Sequence, residues 1–162
     1  MPGTLAAFAL PLGELRDGDL ELRLKTTGPH GVHKVPAYRF RMVHRVSGEE
    51  LGQINLRIAS TRHIEMYAGH IGYSVLAAHR GHRYAARSVR LLLPLARSHG
   101  LDPLWITCDP ENFASRRTLE LAGAEFVEVV SVPKDCVIHQ NGHLEKCRYR
   151  LPAGASQDLP QP

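Results

Sequence analysis

The chain has 162 residues, a length that suits one domain with one hydrophobic core. Its apolar content of 43%, charged content of 22% and net charge of +4 are typical of a globular protein with some attraction to anions, such as a phosphate-bearing cofactor or nucleic acid. No run of about 18 apolar residues exists, which excludes a membrane-spanning helix, and three cysteines are too few for a disulfide framework, so we expect a cytoplasmic protein with no membrane partner.

Alternating apolar and polar residues predict strands in the first half of the chain. They follow a loosely attached arm at 1–13 and are interrupted by a glycine- and proline-containing loop at 26–36. The short connections favour an antiparallel meander. The predicted strands of this half are 20–25, 38–46, 51–58 and 70–75.

A basic turn follows the strand at 70–75 and leads into a helix with apolar periodicity. This order points several unpaired backbone N–H groups and a helix N-terminus at one spot. Such a spot attracts a phosphate or a pyrophosphate. The turn consists of Arg80, Gly81, His82, Arg83, Tyr84 and Ala85.

The helix after the turn has one apolar face, formed by Val89, Leu92, Leu93 and Ala96. Pro94 lies inside this helix and predicts a kink, because proline removes a hydrogen bond and clashes with the preceding turn.

A second strand and a second helix complete a β-turn-α-β-turn-α segment. Gly100 is suited to end the first helix with a positive φ. The continuous apolar run at 104–108 indicates a buried parallel strand. Asn112 is a good N-cap for the helix that follows.

Two further alternating segments, 132–139 and 144–151, flank an Asn-Gly dipeptide, which favours a β-hairpin. In that hairpin Cys136 would oppose Cys147 within disulfide reach, although a reduced pair suits a cytoplasmic protein. The region also contains the spacing C-x2-H-x3-H-x3-C, which suggests zinc. The hairpin register prevents the four side chains from converging, so we expect no metal site.

The segment from the basic turn onward resembles the GNAT superfamily of acetyl-CoA-dependent N-acetyltransferases. The family's signature is Gln or Arg, two residues of any kind, Gly, any residue, then Gly or Ala. Arg80 and Ala85 match its two ends, and Arg83 replaces the middle Gly. The capped helix at 112–123 is similar to the family's second landmark. The resemblance covers roughly residues 38–130.

The resemblance implies an α/β fold with a mixed, mostly antiparallel sheet of about six to seven strands, splayed at the central parallel pair, with helices packed on it. We expect one such domain at 14–151, followed by a flexible tail at 152–162. The family's first helices would be shortened or absent, because only about a dozen loop-like residues lie in their place. The acceptor site would then be more open, or completed by a partner subunit in a homodimer.

The resemblance also implies transfer of an acetyl group from acetyl-CoA, as co-substrate, to a primary amine of a small molecule or peptide by direct attack. Transfer of a different acyl group is one alternative, and a CoA-binding or interaction protein of the same fold without catalysis is another. No nucleic-acid-binding module is recognisable. The residues implied in cofactor binding are Ser74, Val75 and Leu76 beside the pantetheine arm, Arg80, Gly81, His82, Arg83, Tyr84 and Ala85 around the pyrophosphate, and Asn112 and Ser115.

Arg83 raises a question about the backbone of the phosphate site, because glycine normally lets the chain approach phosphate closely with a positive φ. A positive φ at Arg83 would weaken the site. A helical φ would cost little and would let the side chain add a charge contact to phosphate. The enrichment of arginine at phosphate sites favours the helical φ.

Two residues are candidates for catalysis. Ser115 inherits the general-acid role from relatives with an Asn-x-x-Ser pattern, because Leu119 stands where many members carry a Tyr; a backbone-bonding role is the alternative. His70 stands where related transferases often carry Glu, and its imidazole could relay the amine proton. A structural role is the alternative for His70. Glu65 and Tyr73 are weaker candidates for the base.

Four arginines on the two helices could form a basic rim for a phosphate-bearing cofactor. A solvated helix surface explains them equally well. These residues are Arg87, Arg90, Arg116 and Arg117.

Overall fold

Two antiparallel sheets form the frame of the computed structural model, which describes residues 15–29 and 32–154. The first sheet has five strands in the order β1-β2-β3-β4-β5, and the second has three in the order β6-β8-β7. The predicted arm at 1–13 and most of the predicted tail lie outside the described residues. The strands are β1 (Arg16–Asp17), β2 (Leu20–Pro29), β3 (Pro36–His44), β4 (Glu50–Arg57), β5 (Ile71–Val75), β6 (Leu104–Cys108), β7 (Glu125–Ser131) and β8 (Glu145–Leu151).

The helices are few and short. Ile64–Ala68 forms a π-helical turn and Ala77–His79 a 3-10 turn. Within the described ranges, no helix is long and apolar enough to cross a membrane. The α-helices are α1 (Tyr84–Leu91), α2 (Leu93–Ser98), α3 (Phe113–Leu121) and α4 (Val137–Gln140).

The predicted α/β fold with a mostly antiparallel frame is confirmed, with eight strands divided between two sheets. The predicted loss of the first helices also holds, since residues 32–35, the described part of the connection between β2 and β3, contain no helix. The connection between β2 and β3 is too short to contain the helices that the family places there.

The two sheets meet where β5 and β6 begin. The backbone N–H of His70 donates to the carbonyl of Trp105 at 2.6 Å, and beyond this contact the strands belong to different sheets and separate. Gly69 has a φ of +78°, and a Cβ there would lie 3.0 Å from the Thr107 nitrogen and 3.1 Å from the Trp105 oxygen. A residue without a side chain therefore lets the strands touch at one end and splay at the other.

The helix after the basic turn is divided rather than kinked. α1 ends at Leu91, Leu92 caps it, and α2 begins at Leu93 with Pro94 in its first turn, where the missing N–H costs least. The predicted apolar face is confirmed, since Val89, Leu92, Leu93 and Ala96 are fully buried against the sheets. Gly100 follows the end of α2 with a φ of +76°, as expected.

The predicted hairpin at 132–151 is wrong. β7 ends at Ser131, the short helix α4 intervenes, and β8 begins at Glu145. Asn141 caps the C-terminus of α4 and Gly142 follows with a φ of +95°, so the Asn-Gly signal marks a helix end, where a positive φ is equally useful. Cys136 is consequently not opposite Cys147, which pairs with Cys108 and Val129 instead.

Candidate functional site

A cleft of about 540 Å³ opens between β5 and α3, a volume in the range of small-molecule sites. The C-terminal half of β5 and one face of α3 form its walls, and the basic turn closes one end. This cleft is called the cofactor cleft below. The predicted cofactor-binding residues that line it are Ser74, Val75, Arg80, Gly81, Arg83, Tyr84, Ala85, Asn112 and Ser115.

Two predicted cofactor-binding residues do not line the cofactor cleft. The N–H of Leu76 donates to the carbonyl of Leu51 at 2.8 Å, so this N–H points toward β4 and away from the cleft. Backbone groups of successive strand residues point to opposite edges, so the amides of Tyr73 and Val75 face the cleft instead. His82 accepts a hydrogen bond from Arg87 through its carbonyl at 3.2 Å. These two residues shape the surroundings of the cleft.

The basic turn curls before α1 through two residues with a positive φ. Gly81 has a φ of +97° and Arg83 has φ +60° and ψ 27°, a left-handed conformation. The favoured helical φ at Arg83 is therefore wrong. The first backbone hydrogen bond of the helix joins Arg87 N to Arg83 O, which leaves the preceding amides without a helical partner. Arg83, Tyr84 and Ala85 line the cleft, so amides without a helical partner lie beside it, an arrangement that favours an anion.

An ion-pair network fixes the turn to the beginning of the first sheet. Arg87 Nε donates to Asp17 at 2.8 Å and Nη2 donates to Asp19 Oδ1 at 2.7 Å. The hydroxyl of Tyr84 donates to Asp19 Oδ2 at 2.9 Å. Hydrogen bonding to Arg87 lowers the pKa of Asp19, with burial opposing the shift. The sequence shows the charges but not that they lie together, because the partners are about 70 positions apart.

The proposed basic rim does not form. Arg87 is engaged with the two aspartates, and buried Arg90 donates from Nη1 to the carbonyl of Ala122 at 2.6 Å. Arg116 donates to Tyr149 Oη at 3.2 Å and Arg117 pairs with a glutamate on its own helix. Arg80 and Arg83 are the arginines that line the cofactor cleft.

Ser115 lies opposite Tyr73 where the strands have separated. The Tyr73 hydroxyl and Ser115 Oγ are 2.7 Å apart, and either atom can be the donor. Burial raises the pKa of Tyr73 to about 12, so this phenol stays protonated near neutral pH. Asn112 caps α3 as predicted, because its side chain accepts the Ser115 N–H at 3.1 Å. The pair therefore offers a protonated hydroxyl to the cleft.

A second cleft of about 420 Å³ lies on the other side of this pair and is called the acceptor cleft below. Tyr73, Asn112 and Ser115 line both clefts, so the two meet at these residues. A group bound in one cleft can therefore contact a group bound in the other.

The acceptor cleft contains an aspartate–histidine pair. Asp109, the residue after β6, lies 2.6 Å from His143 Nδ1 and 2.9 Å from Lys146 Nζ. Burial raises the pKa of Asp109, but hydrogen bonds from Lys146 and His143 outweigh burial and lower it. In the tautomer whose Nδ1 donates to Asp109, Nε2 of His143 is the ring nitrogen with a lone pair. The sequence did not predict this pair, because it placed His143 in the turn of a β-hairpin. In the structure His143 lies between α4 and β8.

His70 is not placed to relay a proton. It is 0% exposed and lines neither cleft. Its Nδ1 accepts the backbone N–H of Trp105 at 2.9 Å, so Nε2 carries the proton and donates to Ser60 Oγ at 3.0 Å. Burial lowers the pKa of His70 to about 4. The alternative structural role of His70 is the one that fits these contacts.

Cys108 lines the acceptor cleft at the end of β6. Burial raises the pKa of its thiol to about 11, so the thiol is protonated near neutral pH and is a poor nucleophile. Between residues 15–29 and 32–154, no group of three or more His, Cys, Asp and Glu side chains could hold a metal ion.

The sequence matches the profile of the acetyltransferase (GNAT) domain over residues 16–125, more than half of the chain. No curated protein matches it. A ribosomal-protein-S5-alanine acetyltransferase from Vibrio fischeri superposes with a TM-score of 0.56 at 19% identity, covering 73% of this chain and 62% of that one. A Vibrio cholerae structure described as a ribosomal-protein-serine acetyltransferase gives 0.62 at 17% identity, covering 86% and 97%.

A microcin C7 self-immunity acetyltransferase, solved with acetyl-CoA and AMP, gives a TM-score of 0.55 at 17% identity and covers 72% of this chain and 61% of that one. This chain thus spans about three fifths of the length of two of these three structures. At such identities the superpositions concern the fold, whereas the domain profile concerns the sequence itself. The chain therefore belongs to the GNAT acetyltransferase family, whose members are acyltransferases.

Proposed function

We propose that this protein transfers an acetyl group from acetyl-CoA to a primary amine by direct attack of the amine on the thioester. The observation that carries the proposal is the Tyr73–Ser115 pair, which lies where the cofactor cleft and the acceptor cleft meet. The reaction requires the thioester beside the amine, removal of a proton from the amine, and stabilisation of the departing thiolate.

Acetyl-CoA would bind with its pyrophosphate at the amides that precede α1 and its pantetheine arm along the free edge of β5. Arg80 would hold the basic turn in position, since its Nε donates to the carbonyl of Val75 at 3.3 Å. The thioester would then reach the Tyr73–Ser115 pair. This arrangement delivers the acetyl group to the boundary with the acceptor cleft.

The chemical step would form an N–C bond and break the C–S bond. His143 Nε2, oriented by Asp109, would accept the proton that the attacking nitrogen loses. The Tyr73–Ser115 pair would donate a hydrogen bond to the sulfur as negative charge develops on it. Direct attack is favoured because burial keeps the thiol of Cys108, which lines the acceptor cleft, protonated.

The acceptor cleft favours an accessible amine, such as a small molecule or a peptide N-terminus, because residues 32–35, the described part of the β2–β3 connection, form no helix over it. Two of the similar structures are described as ribosomal-protein acetyltransferases. A protein N-terminus is therefore a reasonable first acceptor class to test.

The proposal predicts binding and turnover separately. Acetyl-CoA at 100 times its dissociation constant should stabilise the protein by about 2.7 kcal/mol, and a panel of primary amines and N-terminal peptides should release CoA thiol. Ser115→Ala, Tyr73→Phe and His143→Gln should each lower kcat by about a hundredfold while keeping the acetyl-CoA-induced thermal shift.

Ser98→Ala is the matched control, because the Ser98 hydroxyl donates to the carbonyl of Leu95 at 2.7 Å and Ser98 lines neither cleft. Thermal stabilisation without thiol release from any amine would favour the non-catalytic CoA-binding alternative. Absence of stabilisation by acetyl-CoA would contradict both functions.

A further inference from the structure

Arg57, the last residue of β4, is a buried cation in the wall of the acceptor cleft. It is 8% exposed. Its Nη1 donates to the carbonyls of Ala68 and Gly69 at 3.1 and 2.9 Å, contacts that fix the side chain but bring no net negative charge. No carboxylate of the described residues lies within 4 Å of the guanidinium. Buried arginines are normally paired.

The remaining edge of the guanidinium has no hydrogen-bond partner among the described residues. Nε is buried with no hydrogen-bond partner, and Nη2 has none in the described part of the chain. Nε and Nη2 together form the edge that a carboxylate grips in bidentate geometry. Burial lowers the pKa of Arg57 to about 10, and the charge of Arg39 adds to the lowering, which is the signature of a cation that lacks a counter-ion.

The other charges that line the acceptor cleft compensate one another. Asp109 is within 2.9 Å of Lys146 and 2.6 Å of His143, so its negative charge is already matched. Arg57 is then the charge of this lining without an opposite partner. An anion brought by a ligand would supply it.

Gly72 keeps this edge of Arg57 open. A Cβ at Gly72 would lie 2.9 Å from Arg57 Nη2, closer than side chains normally approach. Gly72 lines the same cleft and directly precedes Tyr73 of the proposed reaction centre. The anion would therefore sit close to the place where the amine reacts.

We propose that Arg57 binds a carboxylate of the acceptor, so that the preferred substrates are primary amines with an acidic group close to the amine. This inference rests on the proposed function for its location. Two sources of the carboxylate are distinguishable: the free α-carboxylate of an amino acid, or an acidic side chain beside a peptide N-terminus.

The test compares pairs of acceptors in which one member carries a carboxylate and the other carries the corresponding amide. Serine is paired with serinamide, and the amidated tripeptide Ser-Asp-Ala is paired with amidated Ser-Asn-Ala. We expect kcat/KM to favour the acidic member of one pair by about tenfold or more, because a hydrogen-bonded charge pair of this kind is worth that factor. In Arg57→Gln, which removes the charge, the ratio should fall by about the same factor.

The ratio of kcat/KM for the two acceptors of a pair is insensitive to a general loss of activity. Gly72→Ala provides a second variant, which crowds Nη2 of Arg57 but keeps its charge. A binding readout separates this inference from catalysis: calorimetry of the N-acetylated tripeptides on CoA-bound wild type should show the same acidic preference. That preference without turnover would support the inference and contradict the proposed catalysis. Turnover with no acidic preference, unchanged in Arg57→Gln, would overturn the inference and leave the function intact.

Discussion

Arg83 combines a strained backbone conformation with a charged side chain. Its left-handed φ of +60° would cost a non-glycine residue about 1–2 kcal/mol, and a glycine would avoid most of that cost. The side chain lines the cofactor cleft, beside the amides proposed to hold the pyrophosphate. Strained residues of this kind persist where the surrounding structure fixes them and often serve a site.

Replacing Arg83 with glycine should therefore affect stability and affinity in opposite directions. Arg83→Gly should raise the free energy of unfolding by roughly 0.5–1 kcal/mol, since the lost strain exceeds the extra entropy of the unfolded chain. Affinity for acetyl-CoA should fall by about tenfold through loss of a charged phosphate contact. Denaturant titration and calorimetry measure the two effects.

Arg83→Asn is the matched control, because asparagine tolerates the left-handed region but carries no charge. It should share the loss of affinity. Unchanged acetyl-CoA affinity in both variants would show that the Arg83 side chain does not contact the cofactor.

At the scale of elements, α1 depends on the first sheet for its position. The helix has only eight residues and no side-chain N-cap, so its own sequence does little to fix its start. Asp19, in the turn between β1 and β2, holds Arg87 and Tyr84 of this helix at once. The start of α1 is thus fixed by a turn that lies 65 positions before Tyr84 in the chain.

Weakening this contact should make the basic turn more mobile and leave the Tyr73–Ser115 pair unchanged. Asp19→Asn should lower acetyl-CoA affinity by roughly two- to fivefold, as expected for a partly exposed ion pair, and leave kcat at saturating cofactor unchanged. Glu21→Gln is the control, because Glu21 pairs with Arg16 and Arg23 and does not contact α1. Equal affinities for the two variants would rule out the anchoring role.

At the scale of the whole molecule, His70 joins the two sheets through a neutral imidazole. It precedes β5 of the first sheet and accepts the N–H of Trp105 in the second. Burial lowers its pKa to about 4 in the folded state, whereas an unfolded histidine titrates near 6.5. Between these values the unfolded chain binds a proton that the folded protein does not, so stability falls as the pH falls through this window.

His70→Asn should remove this part of the pH dependence, because the asparagine carbonyl can accept the Trp105 N–H and does not titrate. Between pH 7 and pH 5 the wild type should lose up to about 2 kcal/mol more stability than the variant, at about 1.4 kcal/mol per pKa unit. Denaturant unfolding at the two pH values measures the difference. Equal losses would mean that His70 is not held neutral by the fold.

The sequence by itself determined the elements that depend on local pattern. The strand, basic turn and helix at 70–98, the buried strand at 104–108 and the Asn112 cap were all predictable, because periodicity, capping and turn chemistry involve neighbours along the chain. The family signature then led to the GNAT fold and to a cofactor cleft at the turn. Nine of the eleven predicted cofactor-binding residues line that cleft.

Only the tertiary structure decided which distant side chains lie together. Tyr73 with Ser115, Asp109 with His143 and Asp19 with Arg87 are separated by 34 to 68 positions, and no local pattern relates them. The sequence was also ambiguous where one residue type suits two backbone conformations. The Asn-Gly dipeptide suits a hairpin turn or a helix end, and Arg83 was compatible with a helical or a left-handed φ. The sheets resolve these cases, since the separation of β5 and β6 fixes which groups face a cleft and which, like His70, are buried between the sheets.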